Sequence, residues 1–183
     1  MKRSPNLLIL GLLLSISSYV NAEELIIGKG NLNKDINVIF EAAPKDTLYN
    51  NSRKVLSEKE TDIHIEALVN WNDNIKISGQ LPDAFIPYLI ILSEITNENT
   101  DEKSTIELTP HINLSDGFHY AQNIKLPGLR SDTYKVKFTV SIDEKKLTYH
   151  HDWKKLYSYP LFDEQVFSYI NLDFKKMSEA VRR

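Results

Sequence analysis

Apolar and polar residues alternate along most of this chain with a period of two. In residues 62–71, Ile63, Ile65, Ala67, Val69 and Trp71 fall on one side, and His64, Glu66, Leu68 and Asn70 fall on the other. That is the spacing of a β-strand, whose successive side chains point to opposite faces. Residues 133–142 repeat the pattern most cleanly: Tyr134, Val136, Phe138, Val140 and Ile142 alternate with Lys135, Lys137, Thr139 and Ser141. Shorter runs predict further strands at 25–27, 36–40, 104–108 and 120–126, and residues 88–95, apolar on both faces, read as a central strand. Residues 147–153 read as a short strand or extended loop. Residues 167–174 read as a terminal strand with Phe167, Tyr169 and Ile170 facing inward.

Polar stretches separate these runs. Residues 44–61 predict a loop with a helical turn at 53–56, residues 79–87 a connection rich in turns, and residues 97–103 a hairpin turn. The tail from Lys175 is polar and predicts fraying. No segment carries a long 3.6-residue period and no repeat is visible. Eight or nine short strands with turn signals between them predict an all-β fold, an immunoglobulin-like antiparallel β-sandwich, with a small closed barrel as the alternative.

The N-terminus changes this picture. Lys2 and Arg3 precede an apolar run from Leu7 to Leu14, and Val20, Asn21 and Ala22 end it with a cleavage signal. Residues 1–22 therefore read as a signal peptide, with an apolar run too short for a stable membrane anchor. Export and cleavage leave 161 of the 183 residues, enough for a single domain, 23–183, with its own core. Of the 22 basic residues two leave with the leader, so 20 stand against 25 acidic ones, a net −5. Nucleic acid, which rewards a basic face, is not an expected partner. The chain has no cysteine, which excludes thiolate ligands and thiol nucleophiles. A metal here takes imidazole, carboxylate or backbone oxygen.

Candidate chemistry centres on five histidines. No nucleophile elbow, phosphate loop or His-Glu-x-x-His helix is present, so no enzyme is predicted. His64 and Glu66 share one strand face about 7 Å apart. His111 and His119 flank the turn Ser115-Asp116-Gly117, where glycine accepts positive φ and aspartate bonds its own backbone. His150 and Asp152 project together if their segment is extended. We expect His64, the 111–119 segment and the His150/His151 pair to converge on one ion. Imidazole with carboxylate and no thiolate favours Cu(II), Zn(II), Mn or Fe over Cu(I).

Several pieces together carry a resemblance: Asp62-Ile63-His64-Ile65-Glu66-Ala67, Phe85-Ile86-Pro87-Tyr88-Leu89, Ser115-Asp116-Gly117-Phe118-His119-Tyr120, Leu126-Pro127-Gly128, Tyr134-Lys135-Val136-Lys137-Phe138 and His150-His151-Asp152. The chain resembles the periplasmic, iron-transport-associated family of copper- and iron-binding proteins known by the names P19 and FetP, with the treponemal Tp34 lipoprotein as a relative. The resemblance implies an immunoglobulin-like homodimer with a copper site and a second metal position for iron or manganese. It also implies work beside a membrane iron permease in the periplasm. By position, it makes His64, His119 and His150 imidazole ligands, Glu66 the acidic neighbour of the first, and Asp116 a carboxylate near the second position. The family's methionine ligand after a proline is absent: Pro110 is followed by His111, and Met1 and Met177 are the only methionines. Either His111 replaces the thioether, which makes the site harder and favours Cu(II), or the site lacks that ligand. The competing expectation is an exported interaction module whose metal site is lost or altered.

Overall fold

The computed structural model describes residues 24–50 and 55–180. The predicted signal peptide lies outside them. Among the described residues eight strands form, all antiparallel to their neighbours: β1 (Leu25–Asn33), β2 (Ile36–Pro44), β3 (Ile63–Trp71), β4 (Leu89–Asn97), β5 (Lys103–Asn113), β6 (Gly117–Ile124), β7 (Thr133–Ile142) and β8 (Gln165–Asp173). Their order across the sheet is β1-β2-β3-β6-β5-β4-β7-β8. The all-β expectation is borne out, and the sheet curls until its two ends meet. Gly28 and Gly30 of β1 lie against Tyr169 and Phe167 of β8, so close that an added Cβ falls 2.0 Å and 2.3 Å from those rings. The two glycines therefore belong to a strand interior and do not separate strands. Only a residue without a side chain lets the edges approach this closely.

β5 joins the two halves. Up to Leu108 it pairs with β4, and from Thr109 it pairs with β6. Pro110 stands just past the changeover, where a residue without an N–H costs the ladder least. His111 consequently lies on a strand, not in the loop that the proline suggests.

The core forms between the halves, from the alternating positions read in the sequence. Ile63, Ile65, Ala67 and Val69 of β3 and Tyr134, Val136, Phe138 and Val140 of β7 are fully buried. Phe40 of β2 stacks on Phe138 across the core at 3.9 Å between ring centroids. Tyr134 donates its hydroxyl to the Leu129 carbonyl (2.7 Å), and Tyr120 donates to Ile86 O while accepting from Leu89 N (both 3.0 Å). These bonds settle the polar ends of buried rings.

Three expectations need correction. Residues 147–150 form no strand, and a short helix, α1 (His151–Leu156), begins there. The premise that His150 and Asp152 project together from an extended segment falls with it. Ile170 is 59% exposed, because alternation turns it outward after Tyr169; β8 then carries one extra residue opposite Tyr134 and Val136, Asn171 adopts φ 56°, and the next inward position is Leu172. Such a bulge moves every later side chain to the other face. The tail does not fray at Lys175 but forms α2 (Lys175–Glu179) against β2, with Phe174, Met177 and Ser178 buried. The turn expected at 53–56 falls partly outside the described residues. A 3-10 turn forms instead at Glu58–Glu60. Among the described residues no helix is long and apolar enough to cross a membrane.

Candidate metal centre

The outer face of β2, β3, β6 and β5 carries the site. Strand alternation sends Ile63, Ile65 and Ala67 into the core, so His64 and Glu66 must face outward. Yet His64 is 2% and Glu66 0% exposed. The segment after β2 lies over His64: Asp46, Thr47, Leu48, Tyr49, Asn50 and Val55 line a cavity of about 340 Å³ together with His64, His111 and His119. A face that alternation alone makes solvated is thus covered.

Hairpin register sets the other two imidazoles. His111 of β5 sits directly opposite His119 of β6, and directly opposed residues are near neighbours on one face. The hairpin turn is fixed by Asn113, which accepts from Asp116 N at 2.6 Å and donates to Asp116 Oδ2 at 2.6 Å. Gly117 supplies the positive φ, 66°. The His111 ring lies 6.0 Å from His119 and 5.4 Å from His64. One nitrogen from each of the three comes within 4.8 Å of the others. Two of the rings have an assigned second nitrogen: His64 Nδ1 meets Asn123 Oδ1 at 2.8 Å, and His119 Nδ1 meets the Gly117 carbonyl at 3.2 Å.

A carboxylate group adjoins the imidazoles. Oxygens of Glu24, Glu66 and Asp116 also lie within 4.8 Å of one another. Glu66 links the two groups, because its Oε1 is 3.6 Å from His64 Nε2. Two ligands of one tetrahedral ion lie about 3.4 Å apart, so the pair is spaced as ligands are. Glu41, directly opposite Glu66 on β2, edges this cluster. Burial, then the charges of Glu24 and Asp116, raise its carboxyl above the usual range. Crowded carboxylates at one spot repel, and a cation relieves the repulsion.

The donor set suits a borderline or hard divalent ion: imidazole nitrogens with carboxylate oxygens and no sulfur. Met177, buried in α2, is no ligand. Of the six residues expected in the site, the structure brings together His64, His111 and His119, and beside them Glu66 and Asp116. It does not bring His150 to them within one chain. His150 lines a different cavity, walled by Trp71, Phe85, Tyr149 and Trp153, and His151 is exposed in α1. Glu24 was missed, since a lone glutamate before the first predicted strand has no local pattern to mark it.

Burial, and secondarily the charge of His119, lowers the His111 pKa to about 4. A depressed imidazole pKa makes the fold lose stability as pH falls from the ordinary histidine range, about 6.5, towards that value, because the unfolded chain protonates first. We expect urea denaturation of the metal-free protein to show this loss, and His111→Gln to flatten it. An unchanged pH slope in the variant contradicts the assignment.

A family model described as "Fe2+ transport protein" matches residues 21–176. A sequence search of curated proteins finds no match. Among solved structures, copper-reconstituted P19 from Campylobacter jejuni is 23% identical and superposes with a TM-score of 0.66, over 81% of this chain and 94% of that chain. A copper-bound single-residue variant of FetP from uropathogenic Escherichia coli strain F11 gives 23% and 0.66, over 81% and 95%. FetP as isolated after expression in the E. coli periplasm gives 22% and 0.61, over 81% and 95%. At these identities the likeness shows a shared fold.

Proposed function

The chain belongs to the Fe2+ transport protein family, and on that premise we propose that it is an exported, non-enzymatic metal-binding protein that holds copper and supports iron uptake. The observation that carries this reading is the buried trio His64, His111 and His119 beside the Glu24, Glu66 and Asp116 cluster. The imidazoles would hold copper, and the carboxylates would hold iron or manganese next to it, with Glu66 between. Bound copper supplies a fixed positive charge and a one-electron redox centre. The chain supplies the rest: it orients two imidazoles through their Nδ1 atoms, excludes bulk water with the 46–50 segment, and offers oxygen to a harder ion alongside. The copper-bound state of FetP and P19 supports the choice of metal.

We read residues 1–22 as a leader removed before Glu23, and the mature domain as periplasmic, working beside a membrane iron permease. The expression of FetP in the periplasm agrees with this. We also read the two halves as faces of an immunoglobulin-like sandwich. The Tyr134 hydroxyl reaching back to Leu129 at a strand start supports this reading, since such folds carry a tyrosine bonded in that way.

A homodimer completes the proposal. Ile112, Leu114 and Phe118 stand 68%, 107% and 56% exposed on the β5–β6 hairpin. Phe118 lies 5.8 Å from Phe85, which borders the His150 cavity. Two-fold pairing through this patch brings each chain's His150 towards the other's hairpin, where it would add a further imidazole. The same patch favours the second reading, an interaction module that binds a different partner there and holds no metal.

Metal analysis of the protein purified from its native cell envelope tests the proposal. We expect close to one copper per chain. Metal-free protein, with a partner other than itself on the hairpin patch, supports the second reading. His111→Met separates the two oxidation states. Exchanging imidazole for thioether is expected to raise the ratio of Cu(I) to Cu(II) affinity by at least about tenfold, because soft sulfur prefers the monovalent ion. An unchanged ratio shows that His111 is no ligand.

A further inference from the structure

Asn123 lies on β6 directly opposite His64, is 1% exposed, and its side chain has three hydrogen-bond partners. Its Nδ2 donates to the carbonyls of Asp46 (2.8 Å) and Leu56 (3.0 Å), and its Oδ1 meets His64 Nδ1 at 2.8 Å. The first two partners decide the third. Carbonyl oxygens only accept, so the amide must turn its NH₂ towards them. Oδ1, an acceptor, is then left facing His64. The proton between Asn123 and His64 must therefore sit on Nδ1. In the neutral ring this leaves the lone pair on Nε2, the nitrogen that lies beside Glu66.

We propose that Asn123 is a positioning residue that locks His64 in the Nδ1–H tautomer and so presets Nε2 as its metal-ligating atom. Imidazole in water favours the opposite tautomer, with the proton on Nε2, so the lock works against the ring's own preference. The device also ties the site to its cover. Of the two carbonyls that fix the amide, one belongs to Asp46, which lines the histidine cavity, and the other to Leu56, next to the lining residue Val55, so the ring's tautomer is tied to the residues that cover it. His119 reaches the same tautomer by a simpler route, donating Nδ1–H to the Gly117 carbonyl. Outer partners of ligating histidines fix ring orientation and tautomer in this way, and their loss costs metal affinity.

The affinity half of this inference rests on the metal-binding reading; the tautomer half does not. Both are tested on the mature chain, labelled with ¹⁵N-histidine and stripped of metal, in alkaline buffer. Long-range ¹H–¹⁵N correlation spectra report which ring nitrogen carries the proton. We expect His64 to show a protonated Nδ1 and a bare Nε2. Asn123→Leu removes the acceptor and should return His64 to the Nε2–H form, leave His119 unchanged as an internal reference, and weaken Cu(II) binding by about 10–100-fold. Asn123→Asp keeps an acceptor for Nδ1–H but loses both carbonyl tethers. It should keep the wild-type His64 tautomer, and it separates tautomer control from general support. An Nε2–H His64 in the wild type, or the same tautomer in wild type and a folded Asn123→Leu, overturns the proposal. So do Leu and Asp variants that agree in both tautomer and affinity. If the wild type binds no copper but shows the Nδ1–H ring, the metal-binding reading fails and the tautomer assignment holds.

Discussion

His119→Ala is expected to weaken copper binding by about 1,000-fold or more while leaving the chain folded. Loss of an outer partner to a ligating histidine costs about 10–100-fold in affinity, and loss of the ligand itself costs more. His119 is 2% exposed and sits opposite His111 on the hairpin, so no other imidazole of the same chain can take its place. Its ring packs against the outer cavity and not the main core, whose β6 contribution comes from Tyr120 and Ile124. Competitive titration against a chromophoric chelator reads the affinity, and circular dichroism reads the fold. Stoichiometric copper at wild-type affinity in His119→Ala would remove His119 from the site.

The largest effect on stability is expected in the core. Phe138→Ala deletes a fully buried ring that stacks on Phe40 and meets Tyr169 edge-on. Phe40 contacts Phe167 as well, so the deletion opens a cavity at the point where β2, β7 and β8 close the curled sheet. Phe-to-Ala changes in cores cost about 3–5 kcal/mol, a large part of the 5–15 kcal/mol typical of a whole domain. Urea denaturation should show a midpoint lowered by more than about 1 M, given slopes of about 1–3 kcal/mol/M. Copper affinity of the folded fraction should not change, because the site lies on the outer face of the other half. A midpoint within experimental error of the wild type would show that these rings do not form the closure.

These two results probe parts of the molecule that the sequence exposes unequally. The β3 and β7 alternation states which residues enter the core, and the structure buries those residues. What alternation does not state is the fate of the other face. His64 reads as solvated until the 46–50 segment is placed over it, and that segment has no periodic signal of its own. The hairpin pairing of His111 with His119 was half legible. Asp116 and Gly117 mark the turn, but Pro110 disguises the incoming strand. Only the switch of β5 from β4 to β6 explains why proline is tolerated there. His150 illustrates the converse. Its two-residue spacing from Asp152 has meaning only in an extended segment, and the chain turns into α1 at that point. Glu24 and Glu41 join the carboxylate cluster through sheet order alone, which no local window contains.

The spectrum of the copper-loaded mature chain tests the central claim most directly. With one equivalent of Cu(II), electron paramagnetic resonance with nitrogen modulation should show coupling to the imidazoles of His64, His111 and His119. Replacing any one of the three by alanine should alter the spectrum. A copper signal without imidazole coupling, or one that survives all three replacements unchanged, contradicts the assignment of this face as the metal centre.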